Sequence, residues 1–289
     1  MSVGLQDAAP PLKARILSPR DRPAALAYLR RDPMQNLLLL DLADNAGSPG
    51  RRGEGSPQVL VAWRGGEPAG VVSLRPSLVI DADMRGDVLE CLLPYLETVG
   101  TGLIKSDWEI VSELWRQLAA RGRTSLIDRA ETAYALRPGE ERCVDAPPEV
   151  RVRLAMPGDL EALVTAARAS LREEGRPDPF EGDPTGFRRW VRGRLSRARV
   201  VEADGRVAFV GYADVRRPEG WLIQGVYTWP AWRRRRLAAA GMSALIREAF
   251  REGSAHVQLA VVEGNQAAIG LYEGLGFRAF STLRTILFV

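Results

Sequence analysis

Cysteine, histidine and lysine are nearly missing from this chain of 289 residues. Cys91 and Cys143 are the only cysteines, His256 is the only histidine, and Lys13 and Lys105 are the only lysines. So few thiols and imidazoles exclude most structural zinc sites and any Ser-His or Cys-His mechanism not built on His256. His256 follows a helix end at Glu252-Gly253-Ser254-Ala255 and opens a strand, which is a structural position, and no metal is expected. No apolar run approaches the roughly 18 residues of a membrane span, and the first dozen residues lack a signal-peptide layout. A cytoplasmic protein without a membrane partner is the expectation. Arginine takes the place of lysine, supplying 38 of the 40 basic groups, as codon usage in a GC-rich genome would. With 36 acidic residues the net charge is only +4. One basic cluster, Arg188, Arg189, Arg192, Arg194, Arg197 and Arg199, lacks the interleaved aromatics of a single-strand nucleic-acid platform, apart from Trp190. It reads as a solvated helix face, and nucleic acid is not an expected partner.

What is present suits a soluble globular chain, 46% hydrophobic and 26% charged, with length for two ordinary domains. The first half opens with a strand at Ala14–Leu17, then Pro19 and Asp21 before a helix, and a buried helical piece at Asn36–Leu42. A Gly/Ser/Pro/Arg stretch from Asp44 to Pro57 reads as a mobile surface loop. Strands at Gln58–Arg64 and Pro68–Leu78 turn at Gly65-Gly66, and helices follow at about Asp87–Glu97 and Asp107–Ala120 with a short strand between. Prolines and mixed charges in Arg137–Pro148 suggest a linker. The second half repeats this order: Val152-Arg-Leu154 with Pro157 and Asp159 echoes Ile16-Leu17 with Pro19 and Asp21, and Val210-Gly211-Tyr212 echoes Ala69-Gly70-Val71. Order and spacing together predict two copies of one α/β fold in tandem, residues 1–140 and 150–289, joined by a linker at 141–149.

The second copy is organised around the turn Thr228-Trp-Pro-Ala-Trp-Arg233-Arg-Arg-Arg236-Leu-Ala238. Trp221–Thr228 before it is aromatic and β-branched, which predicts a strand. Ala238, Met242, Leu245 and Ala249 after it share one helical face. Pro230 ends the strand, having no amide for the ladder. A helix N-terminus carries unpaired N–H groups and the positive end of the dipole, so four preceding arginines make it suited to phosphate or pyrophosphate, although a solvated basic turn has the same composition. Beyond it, His256–Val262 reads as a buried strand. Asn265 caps a short helix with Ala268, Leu271, Tyr272 and Leu275 on one face, Gly276 stops it, and Phe277 opens a last strand. The first copy offers no such arginine turn. Asp81, Asp83 and Asp87 stand there instead and would repel a phosphate, so that copy is expected to be degenerate and non-catalytic.

Strand, basic turn, helix, strand, then Asn265 and Leu271-Tyr-Glu-Gly-Leu-Gly-Phe277 resemble the GNAT superfamily of acyl-CoA-dependent N-acyltransferases. Its pyrophosphate motif, Pro-x-x-Arg-x-x-Gly-x-Gly/Ala, is met by Pro230, Arg233 and Ala238, while Arg236 stands at the usual glycine. The resemblance is specific over about residues 150–289. It implies an α/β (α+β) chain of two GNAT-like domains, each a mixed, mostly antiparallel sheet flanked by helices. It further implies acetyl transfer from acetyl-CoA, as co-substrate, to a primary amine of a small molecule or peptide. Cofactor contacts would come from Val226, Tyr227 and Thr228 along the pantetheine, from Arg233, Arg234, Arg235, Arg236, Leu237, Ala238 and Ala239 at the pyrophosphate, and from Asn265, which an N-cap role alone would equally explain. Tyr272 would protonate the departing thiolate, or it is a core residue. The family's strand glutamate is missing: Gln224 lies on that strand, and Glu219 and Asp214 are the carboxylates near it. The loop Glu173–Pro184, whose glutamates and aspartates suit a cationic amine, would select the acceptor, or it is a plain surface loop. A non-catalytic CoA-binding sensor or scaffold is the alternative, and the oligomeric state, monomer or homodimer, stays open.

Overall fold

The computed structural model describes residues 10–48, 55–84 and 86–289. Part of the loop expected at Asp44–Pro57, residues 49–54, lies outside them. In the first half β1 (Leu12–Ile16), α1 (Arg22–Leu29), α2 (Leu37–Asp44), β2 (Gln58–Arg64), β3 (Glu67–Arg75) and β4 (Val79–Ile80) are followed by α3 (Gly86–Leu96), β5 (Gly102–Asp107), α4 (Trp108–Ala119) and β6 (Ser125–Leu136). The second half runs β7 (Val150–Leu154), α5 (Leu160–Glu173), α6 (Pro184–Arg194), β8 (Ala198–Ala203), β9 (Arg206–Arg217), β10 (Gly220–Thr228), α7 (Leu237–Arg251), β11 (Val257–Val262), α8 (Gln266–Gly274) and β12 (Arg278–Phe288). The same order of elements appears twice, as the repeat in the sequence predicts.

The sheets are not private to their halves. Strands β1-β2-β3-β4 form a four-stranded antiparallel sheet, and the other eight run in the order β5-β12-β6-β11-β10-β9-β8-β7. The closing strand of each half has crossed over. β6 pairs antiparallel with β11, Glu131 opposite Val262 through to Leu136 opposite Val257. β12 pairs with β5, Gly102 opposite Phe288 and Asp107 opposite Leu283, and also lies along β6. Leu78, just before β4, bonds to Leu103 and Lys105 and so ties the two sheets together.

Apolar clusters lie on both faces of the second half's sheet. Phe209, Trp221 and Ile223 meet Leu237, Met242, Leu245 and Ile246 of α7 on one side, while Val200, Val210, Tyr212 and Tyr227 meet Leu163, Phe187 and Val191 of α5 and α6 on the other. The alternation along each strand divides the residues between these cores. A third contact joins the halves, where Leu37 of α2 packs on Val215 and Leu222. Around it, Arg30 reaches Glu219 at 2.8 Å and Arg217 reaches Asp44 at 2.7 Å.

Two expectations change. The connection after β6 lacks regular structure but is packed, with Arg142 donating to the Leu275 carbonyl at 2.9 Å and Val144 to the Ser243 hydroxyl at 2.9 Å. The arginine cluster on α6 and beyond is only partly a solvated face. Arg188, Arg189 and Arg192 are exposed, but Arg194 and Arg199 are buried, paired with Asp214 and Glu248. A guanidinium can leave solvent there because a carboxylate meets it. His256 is structural as expected, its buried ring packed on Gly220 and bonded to Gln258 at 2.7 Å.

Candidate functional site

The site begins where two parallel strands part. β10 and β11 pair only at Trp221 with Val257 and Leu222 with Gln258, so the edge of β10 from Ile223 to Thr228 has no ladder on that side. A bulge between Gln224 and Tyr227 bends β10 away, with Gly225 at φ 58°. A β-carbon at Gly225 would stand 3.0 Å from Tyr212 and 3.3 Å from Arg194, so the bend needs glycine both for its dihedral and for room. Val226 then packs toward the α7 side and Tyr227 toward α5 and α6.

The arginine turn follows directly. Pro230–Trp232 form one 3-10 turn, then Arg234 and Arg236 take left-handed backbone, φ 64° and 60°, before α7 starts at Leu237. Arg236 at the position of the family's glycine thus adopts the conformation glycine would, at some backbone cost. No side chain caps α7, and Arg233 to Arg236 are all exposed. Among the described residues Arg234, Arg235 and Arg236 have no carboxylate partner, Arg235 lying over the Trp232 ring at 5.0 Å. The N–H groups of Leu237, Ala238 and Ala239 are likewise unclaimed at the positive end of a 15-residue helix. These donors fit a pyrophosphate. Arg233 behaves differently: its guanidinium turns back to Glu173 at the end of α5, at 2.7 Å.

On the other wall, Asn265 caps α8, its Oδ1 accepting from the Ala268 N–H at 3.1 Å. Tyr272 is buried in the cluster that also holds Leu237, packed edge-on against Phe277 with ring centroids 5.8 Å apart. Its hydroxyl has no hydrogen-bond partner among the described residues, and burial pushes its ionisation well above the ordinary phenol value. A phenol so placed holds its proton.

The sequence profile of the Acetyltransferase (GNAT) family matches residues 161–277, a span that contains the parted strands, the arginine turn and both motifs. Residues 161–277 belong to the GNAT family. The whole chain, including the first half, also has the fold of solved GNAT proteins. A tandem GNAT protein from the clavulanic acid biosynthesis pathway superposes with a TM-score of 0.59 at 15% identity, covering 95% of this chain and 98% of the other. A GCN5-related N-acetyltransferase from Sphaerobacter thermophilus gives 0.62 at 19% identity over 95% and 94%, and a Drosophila protein gives 0.71 at 16% over 95% and 98%. No curated protein matches this chain in sequence. Among the described residues no group of His, Cys, Asp and Glu is arranged to hold a metal ion, and no helix is long and apolar enough to cross a membrane.

Both carboxylates near the GNAT strand are engaged. Glu219 lies at the β9–β10 turn, the end of β10 remote from Thr228. Burial opposes its charge, but Arg30 and Arg217 hold it down to about 2. Asp214 is buried between Arg194 and Arg197. Glu219 so held stays ionised near neutral pH. In the first half Asp81 is buried and accepts from the Tyr28 hydroxyl at 2.6 Å, while Asp87 is paired with Arg64.

Sequence reading placed Glu173 in the acceptor loop and Tyr227 along the pantetheine, but missed that the two side chains meet. Tyr227 donates to Glu173 Oε1 at 2.9 Å, and burial, then this bond, raises the phenol's ionisation. The partners lie 54 residues apart along the chain, so no local pattern marks them.

Proposed function

We propose that the chain is an acyl-CoA-dependent N-acyltransferase that moves an acetyl group from acetyl-CoA to a primary amine of a small molecule or peptide, with residues 150–289 as the catalytic unit and the first half non-catalytic. The observation that carries this reading is the coincidence of the unladdered edge of β10 with an uncapped, arginine-rich helix N-terminus at its end. An extended pantetheine arm would lie along Val226, Tyr227 and Thr228 as an added strand. The pyrophosphate would meet the N–H groups of Leu237 to Ala239 with Arg234, Arg235 and Arg236 around it.

In the transfer, the amine nitrogen bonds to the acyl carbon and the carbon–sulfur bond breaks. The nitrogen gives up a proton and the sulfur takes one. Tyr272 supplies the second, since its buried phenol is protonated at the working pH. With Glu219 and Asp214 held by arginines, the proton from nitrogen passes to solvent rather than to either carboxylate. Asn265 serves as the cap of α8, fixing the wall that carries Tyr272.

Those two engaged carboxylates also favour a second reading, a CoA-binding sensor without catalysis. A thiol-release assay with acetyl-CoA over a panel of amines and peptides, with mass spectrometry of the products, separates the two. An acylated amine supports the transferase. Acetyl-CoA binding with no release from any acceptor would leave the sensor.

A further inference from the structure

Arg233 occupies a cradle made of three different groups. Its Nη2 donates to both oxygens of Glu173, at 2.8 and 2.7 Å, and its Nε donates to the Thr228 carbonyl at 3.0 Å. The guanidinium carbon lies 5.6 Å from the centre of the Tyr227 ring, whose hydroxyl fixes the same carboxylate. A carboxylate, a carbonyl oxygen and an aromatic ring are the groups that bind an organic cation. Glu174, next along, is taken by Arg129 at 3.2 Å and Arg176 at 3.6 Å. Arg233 is therefore the sole cationic partner of Glu173 among the described residues.

The pair is easily exchanged, because the two side chains are 44% and 47% exposed and an ion pair in that setting is weak. Arg233 also stands at the head of the arginine turn, beside donors suited to a pyrophosphate. A doubly charged pyrophosphate there competes with one carboxylate for the same guanidinium. While Arg233 holds Thr228, that carbonyl already accepts one hydrogen bond from the guanidinium.

We infer that this cradle is the acceptor's cation site: Arg233 fills it while CoA is absent, turns to the pyrophosphate when CoA binds, and leaves the Glu173 carboxylate and the face of the Tyr227 ring to a cationic group of the acceptor. The inference rests on the acyltransferase reading and narrows it. The attacking nitrogen must be neutral, so the anchored cation is a second group. The acceptor is then a diamine, or an amine that also carries a guanidinium, and CoA binds first.

Calorimetry on the full chain, using CoA and 1,4-diaminobutane as probes, tests this with wild type and Glu173→Gln. The glutamine keeps the shape and removes the charge, and an exposed site leaves the melting temperature unchanged. CoA should bind the variant about two- to fivefold more tightly, the scale of an exposed ion pair no longer competing. The diamine should bind CoA-loaded wild type at least about tenfold better than CoA-free wild type, and the variant should lose that gain. Equal CoA affinity in the two proteins overturns the exchange. Diamine binding indifferent to CoA or to the substitution overturns the cation site. Failure of wild type to bind CoA at all would instead overturn the acyltransferase reading.

Discussion

The carbonyl oxygen of Glu140 lies 2.3 Å from where a β-carbon on Gly276 would stand. Gly276 ends α8 at φ 101°, and the connection between the halves crosses directly over it. Two independent reasons thus demand glycine, a left-handed backbone and a backbone neighbour that cannot swing aside. Gly276→Ala should cost at least about 2 kcal/mol, read as a lower urea midpoint. Gly270, inside the same helix with nothing within 4 Å, is the control: alanine there should be neutral or stabilise by up to about 1 kcal/mol.

Arg236 is the converse case, a side chain where the backbone asks for none. At φ 60° it stores roughly 1 kcal/mol of strain. Arg236→Gly should raise the melting temperature of the ligand-free protein slightly, and Arg236→Ala should not. If both variants melt alike, the strain at this position is negligible.

Charge reversal tests the anion site without touching the Arg233 pair. Arg234→Glu with Arg235→Glu should weaken acetyl-CoA binding by about 1–3 kcal/mol, the scale of lost charge-assisted hydrogen bonds. Calorimetry showing unaltered affinity would place the pyrophosphate elsewhere.

Tyr272→Phe keeps the ring against Phe277 and removes only the hydroxyl. A tyrosine that merely packs would leave turnover within a few-fold. As the acid, positioned catalysis of this kind being typically worth ~10²–10⁴, it should cost well over tenfold in kcat, with little change in melting temperature. Because burial raises the phenol's folded ionisation above its unfolded value near 10, this group favours the fold below pH 10. That contribution is lost as the solution becomes more alkaline, and the phenylalanine variant should lack this alkaline loss.

Glu219 sets the opposite limb. Its folded value of about 2 lies below the ordinary 4.5, so its contribution is fully present above pH 4.5 and disappears as pH falls toward 2. Glu219→Gln should lose about 1–2 kcal/mol at pH 7, part of it from the bond to Arg30 across the halves. The difference from wild type should vanish near pH 2, as urea titrations at the two pH values would show.

Local features were legible in the sequence. Pro230 announced the end of β10, Asn265 and Gly276 the ends of α8, and the doubled order of strand, proline and helix the tandem fold. Crossing of β6 and β12 was not legible. Alternation along a strand says which face is buried, whereas the identity of its neighbour depends on register with residues far along the chain. The same holds for Glu173 and Arg233, brought together only when the end of α5 meets the end of β10. Arg194 and Arg199 read as solvated because their partners, Asp214 and Glu248, lie on other elements.

The exchange of closing strands has a consequence for synthesis. β5, residues 102–107, flanks β12, residues 278–288, so it must wait for the entire second half to be translated before that neighbour exists. At ribosomal speeds of about 5–20 residues per second the wait is on the order of ten seconds or more. Throughout it, the emerging first half carries an open strand edge, the kind of surface that recruits chaperones or aggregates. Ribosome-stalled chains ending before β12 should remain protease-sensitive around residues 102–107. Release of the next dozen residues should protect both halves together.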